Sequence, residues 1–250
     1  MTVHGATDIT DEWRLVDDIG RERSARDQMD ADLALLDDVK RRGASALRLY
    51  TWRGPTLSLG RFQADDDLNR DACARRGVEV VRRPTGGRAL LHGGDLTYAA
   101  VTRARIGRTG GVAAMYDWIA GGLIAGLAHI GVTAAVARQD GPSGPACFAG
   151  QQGADLRVGE RKLCGSAQVW RDDCVLQHGS ILLRRLSFDE TDLLYGAGAR
   201  DALHDATVTL EELGAPFEAR RVAGALVDGF HDAHVCSFNS LRALRCVPGH

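Results

Sequence analysis

Short extended segments, set close together by glycine and proline turns, fill the middle of this chain and leave little room for helical crossovers between them. Alternation over 46–51, with Leu47 and Leu49 against Arg48 and Tyr50, predicts a strand. Arg53-Gly54-Pro55 then turns the chain into a second short strand over 56–60. A strand over 79–83 ends in charge, and two more over 89–92 and 96–102 flank a Gly93-Gly94 turn. Further short strands are expected over 131–138, 154–158, 160–168 and 177–183. Hairpin spacing of this kind favours an α+β fold with mixed, largely antiparallel sheets over a doubly wound parallel sheet.

Helices flank these strands. Ser24 caps a helix running to about Arg42, with Ala25, Met29, Leu33, Leu36 and Val39 at helical spacing and Gly43 as its stop. Residues 69–77, 187–195 and 217–234 also read as helical, and 115–130 as an apolar helix despite its glycines. Residues 1–12 are polar and read as a loose end, and 139–150, with three Gly and two Pro, as a loop. With no convincing linker, the expectation is one domain over 1–250, with a helical appendage from about 196.

Composition narrows the class. The 31 Lys+Arg against 33 Asp+Glu, net −2, argue against a polybasic nucleic-acid protein. No apolar run reads as a membrane span of about 20 residues, and the acidic N-terminus does not read as a signal peptide. Cysteines 73, 147, 164, 174, 236 and 246 form no CxxC pair, which suggests reduced thiols in the cytoplasm.

Four segments carry chemistry. Arg82-Arg83-Pro84-Thr85-Gly86-Gly87-Arg88 follows a strand; it reads either as a surface turn with solvated arginines or as a loop offering backbone N–H groups to a ligand. It lacks the GxxxxGK[ST] phosphate-loop pattern. Lys162, leading into Leu163-Cys164-Gly165-Ser166-Ala167-Gln168, is either an exposed hairpin lysine or an inward cation beside a strand slim enough for a long ligand. Gln177-His178-Gly179-Ser180 offers a histidine of the kind that is usually structural. Cys147-Phe148 offers a loop thiol, inert unless its thiolate is stabilised.

In order and spacing, these segments together resemble the lipoate–protein ligase and octanoyltransferase superfamily, nearest to its cysteine-dependent octanoyltransferase branch. Trp13-Arg14-Leu15, Ser58-Leu59-Gly60-Arg61-Phe62-Gln63 and Leu96-Thr97-Tyr98 extend the resemblance from 13 to 183. It implies a biotin/lipoyl ligase-like catalytic domain. It also implies that Arg83, Thr85, Gly86, Gly87 and Arg88 line an acyl pocket, with His92 closing the motif. Gly165, Ser166, Ala167 and Gln168 then lie beside the acyl chain, and His178 and Gly179 face it. Lys162 holds the acyl carbonyl or carboxylate, and Cys147 accepts the acyl group. The chain departs from the family at Gly93-Gly94-Asp95, where acidic residues are usual. It departs again at Gln151-Gln152-Gly153-Ala154-Asp155, which replaces a Ser-x-Tyr-Glu segment, and at Cys164, which replaces an aliphatic residue.

The implied reaction moves an octanoyl group from acyl carrier protein through a Cys147 thioester to a lysine of the glycine cleavage H protein or a dehydrogenase lipoyl domain. It needs no cofactor and suits a monomer. A lipoate ligase using ATP and Mg through lipoyl-adenylate is the alternative, although Gly87-Arg88 replaces the third glycine usual there. A non-catalytic acyl-binding paralogue is a further one. His231 and His234 stand three apart on the expected helix, a spacing metals use, but the group they form with Cys236, Cys246 and His250 lacks paired CxxC spacing and reads as chance clustering, so no metal is expected.

Overall fold

The computed structural model describes residues 12–103, 111–137, 155–196, 198–234 and 237–240. Strand β1 (Glu12–Asp18) leads into helix α1 (Ala25–Arg42). The Ser24 hydroxyl accepts from the Asp27 amide at the start of α1, and Gly43, at φ 84°, returns its amide to the Val39 carbonyl at the end. Then follow β2 (Ser45–Tyr50), β3 (Thr56–Leu59), α2 (Arg70–Arg75), β4 (Glu79–Arg82), β5 (Leu90–His92) and β6 (Asp95–Arg103). The rest comprises α3 (Gly111–His129), β7 (Ala135–Val136), β8 (Leu156–Val158), β9 (Arg161–Arg171), β10 (Cys174–Leu182), α4 (Arg200–Ala206), α5 (Ala219–His234) and β11 (Ser237–Ser240).

Eight strands form one sheet in the order β11-β1-β2-β6-β10-β9-β8-β7, and β4-β3-β5 form a small second sheet. β1 runs parallel to both its neighbours. From β2 to β7 every pairing is antiparallel, so the architecture is mixed and largely antiparallel, with helices on both faces. Two expected hairpins are something else. Arg53-Gly54-Pro55 and Gly93-Gly94 do not fold a strand back on its predecessor; each carries the chain between the two sheets. At the second, a Cβ on Gly94 would lie 2.4 Å from the Arg184 carbonyl oxygen, so only glycine passes there.

Both faces of the large sheet are covered. Leu47, Leu49, Leu96 and Tyr98 pack under α3 and α5, while Ala46, Tyr50, Ala99 and Val101 pack under α1. The alternation along β2 therefore does not separate core from solvent: Arg48 and Tyr50 are as buried as Leu47 and Leu49. Helices α3 and α5 meet at glycines; a Cβ on Gly126 would lie 2.7 Å from Leu226 Cα. α3 corrects one expectation, because its 19 residues are long and apolar enough to cross a membrane by length and composition. Here its Met115, Ile119, Leu123 and Leu127 are buried in the core under the sheet.

Expected helix 187–195 shrinks to one 3-10 turn, Glu190–Asp192. Asp189 caps it, and Leu193 and Leu194 are tied back to Asn69 and Leu68. These cross-links hold the segment against α2 and stop further winding. No sequence signal marked β1 or β11, whose mutual pairing depends on residues more than 200 positions apart.

Candidate active site

Between the two sheets, on the side covered by α1, lies a partly open pocket. Met29 of α1, Tyr50 and Trp52 from the end of β2, Ser58 of β3, and Leu90 and His92 of β5 form one part of its wall. Thr97 of β6, Gly165, Ser166 and Ala167 of β9, and His178, Gly179 and Ser180 of β10 form another, with Arg83 and Gly87 from the loop after β4. Gly179 lets β9 and β10 close up on the other face of the sheet, where a Cβ would meet the Gly165 carbonyl oxygen at 2.4 Å and the Tyr98 ring at 2.8 Å. On the pocket side the β9–β10 wall is built on Gly165 and Ala167, opposite Ser180 and His178. Such a wall lets a long, slim ligand lie against backbone.

The glycine loop is fixed by a cation turned inward. Arg83 is buried, and its guanidinium donates to the carbonyls of Ser58 (3.0 Å), Gly86 (2.7 Å) and Arg88 (2.7 Å). The reading of this segment as a turn with solvated arginines therefore fails at Arg83. Residues 60–63 lie against the loop: the Arg61 amide donates to the Thr85 carbonyl at 2.8 Å, and Arg82 donates to the Gly60 and Gln63 carbonyls, each at 2.7 Å.

Two histidines stand in the wall, each between a hydroxyl and a carboxylate. His178 shares hydrogen bonds with Thr85 Oγ1 (2.6 Å) and Asp32 Oδ2 (2.9 Å). Asp32 is fully buried, and it also accepts from Arg48 Nη1 (2.6 Å) and the Tyr50 hydroxyl (3.1 Å). Burial raises the Asp32 carboxyl, but Arg48 and His178 outweigh it and hold it below the ordinary range. Burial and the Asp32 charge push the Tyr50 phenol well above its usual value, so it is a neutral donor. His92 shares hydrogen bonds with Ser58 Oγ (2.8 Å) and Asp95 Oδ2 (2.9 Å) and stacks on Trp52 at 4.2 Å. The Trp52 indole N–H donates to Thr97 Oγ1, which donates in turn to Asp95.

Lys162 is buried at the start of β9 and pairs with Asp155 at 2.7 Å. Asp155 Oδ1 also accepts from the Ser166 amide at 3.4 Å, so this ion pair reaches the pocket wall through one residue. Ser166 Oγ and the Tyr98 hydroxyl are 2.8 Å apart, and Gln177 donates to the same hydroxyl at 2.7 Å.

The structure thus brings Arg83, Gly87, His92, Gly165, Ser166, Ala167, His178 and Gly179 to one pocket. Thr85 reaches it through His178, while Gly86 and Arg88 supply carbonyls to Arg83. Gln168 lies farther along β9, bonded to Gln177 and Trp170. Cys164 is buried in the core. Cys147 and Phe148 lie outside the described residues, as do Cys236, Cys246 and His250. His231 bonds Asp232, and His234 stacks on Trp118; no group of metal-ligating side chains occurs among the described residues.

Sequence reasoning missed Asp32, Arg48, Ser58 and Asp95. Asp32 occupies the buried stripe of α1 where Leu33 was expected, and Leu33 is half-buried beside it. The available signal was Gln28 and Asp32, four apart, interrupting that apolar stripe.

Residues 24–230 match the family described as lipoyl protein ligase A/B catalytic domain. The octanoyltransferase LipM of Carboxydothermus hydrogenoformans is 41% identical over 177 residues; the match covers 69% of this chain but only 65% of that relative. LipM of Kyrpidia tusciae is 36% identical over 242 residues, covering 88% of this chain and 86% of the relative. Among solved structures, a lipoate-protein ligase A bound with ATP superposes with a TM-score of 0.77 at 20% identity, over 94% of this chain and 90% of that one. The bipartite lipoate protein ligase of Thermoplasma acidophilum gives 0.73 at 20% identity, covering 94% and 88%. These structural likenesses speak to fold.

Proposed function

Because this chain belongs to the lipoyl protein ligase A/B catalytic domain family, we propose that it is an octanoyltransferase of lipoate biosynthesis. The donor is octanoyl-acyl carrier protein, and the acceptor is a lysine of a lipoyl domain such as the glycine cleavage H protein. The relatives named octanoyltransferase support the acyl group, and the pocket between the sheets supports its placement. The single observation that carries the reading is this pocket. Met29, Trp52 and Leu90 offer it apolar surface, while Gly165 and Ala167 leave its far wall slim enough for an extended hydrocarbon.

Chemistry proceeds in two steps. The Cys147 thiolate attacks the donor thioester, the carrier thiol leaves, and an acyl-enzyme forms. The acceptor lysine amine then attacks the Cys147 thioester, giving an amide and regenerating the thiol. The amide is more stable than the thioester, which drives this step without ATP. Lys162 is assigned the Cys147 thiolate and the acyl oxyanion, and it presents its charge to them by loosening its ion pair with Asp155. Asp155 holds that lysine in place. Arg83, Thr85, Gly86, Gly87, Arg88, His92, His178 and Gly179 shape the acyl site, and Gln168 stiffens β9 beyond it.

The test is to follow the mass of an unmodified lipoyl domain with two donor sets. One is octanoyl-acyl carrier protein without ATP; the other is free lipoate with ATP and Mg. Modification by the first alone is expected. Modification by the second alone overturns the transferase reading in favour of a ligase, and modification by neither leaves an acyl-binding protein without catalysis.

A further inference from the structure

We propose that Ser58, His92 and Asp95 form a second nucleophilic centre in the pocket wall, one that takes a medium-chain acyl group from a thioester or activated ester onto the Ser58 hydroxyl and releases it to water. The proposal rests on the reading that the pocket holds an acyl chain. Ser58 and His92 both line that pocket. Ser58 Oγ lies 2.8 Å from His92 Nε2, and His92 Nδ1 lies 2.9 Å from Asp95 Oδ2. This is the relay in which an imidazole takes the hydroxyl proton while the carboxylate fixes the ring and stabilises the cation that forms.

The surroundings set this relay apart from the other one. Asp32 behind His178 is shared with Arg48 and the Tyr50 hydroxyl, and the His178 ring faces a threonine in place of a serine. Besides His92, Asp95 accepts from neutral donors, the Gly93 amide and the Thr97 and Ser180 hydroxyls; no Arg or Lys pairs with it among the described residues. An imidazolium at His92 would be its counter-ion. The Arg83 guanidinium donates to Ser58 Oγ at 3.2 Å, where it favours negative charge developing on the attacking oxygen. Trp52, stacked on His92, fixes the ring plane.

The step balances as follows. Ser58 Oγ bonds to the acyl carbon while His92 Nε2 takes its proton. The C–S or C–O bond of the leaving group breaks, and the leaving group takes that proton from His92. Water then attacks the Ser58 ester, with His92 again as base, and Ser58 and the carboxylic acid are released.

The test uses the full chain carrying Cys147→Ala, which removes the nucleophile assigned to transfer. Release of p-nitrophenol from p-nitrophenyl octanoate is measured, and an octyl fluorophosphonate is used to label the protein for peptide mapping. Steady release and a label on Ser58 are expected, with release falling at least ~100-fold in Asp95→Asn and His92→Asn. The label is read on unaltered Ser58, so folding of those variants does not decide the matter. Octanoate binding to the same protein is measured by calorimetry. Binding without release, or with the label on another residue, overturns the triad and leaves the acyl-pocket reading standing. No binding overturns both.

Discussion

Arg48 carries more of the site than its place on a strand suggests. It is buried and bonds Asp18, Asp32 and Gln28 at once, so it fixes α1 and, through Asp32, the His178 ring. Arg48→Met removes the cation and leaves two buried carboxylates without it. Stability should fall by ~3–5 kcal/mol, read from the urea midpoint; a loss below ~1 kcal/mol would show that the carboxylates find other partners. This role was not legible in the sequence, because a charged residue alternating with leucines normally faces water. The motif residues were legible for the opposite reason. Arg83, Gly87, His92, Ser166 and His178 sit in short local patterns whose order along the chain is itself informative. Their partners Asp32, Ser58 and Asp95 come from other elements or lack any such pattern.

At the scale of elements, α1 was readable end to end, since Ser24, the apolar stripe and Gly43 all act locally. Gly93-Gly94 misled because a two-glycine turn has the same local chemistry whether it closes a hairpin or passes a chain between sheets. The α3–α5 contact offers a clean comparison of two helical glycines. Gly126→Ala would place a methyl 2.7 Å from Leu226 Cα and 2.8 Å from the Ala225 carbonyl, so the helices must separate. The expected cost is ~1–3 kcal/mol. In α5, Gly224→Ala meets nothing within 4 Å and should stabilise by about 0.5–1 kcal/mol through helix propensity alone. Equal urea midpoints for the two variants would contradict the close packing.

For the molecule as a whole, one buried acid links stability to pH. Burial pushes the Glu190 carboxyl up to about 7, although it accepts a hydrogen bond from the Leu91 amide. The folded chain therefore keeps a proton on Glu190 that the unfolded chain loses near the ordinary value of 4.5. Its stabilising contribution is complete below that value and is lost as pH rises through about 7. Between about pH 5 and pH 8 the chain should lose up to ~3 kcal/mol relative to Glu190→Gln, which keeps the acceptor and cannot ionise. Parallel stability profiles for the two proteins would remove Glu190 from the account.

At this scale the pocket between the sheets is proposed to serve a covalent acyl transfer. Its most direct test is the intact mass of the protein after incubation with octanoyl-acyl carrier protein in the absence of ATP, with Cys147→Ala in parallel. A gain of one octanoyl group is expected, one that hydroxylamine removes and that is reduced or absent in the variant at transfer-competent times. An unchanged mass in the wild-type chain, with acceptor modified only once ATP and a free acid are supplied, would contradict it.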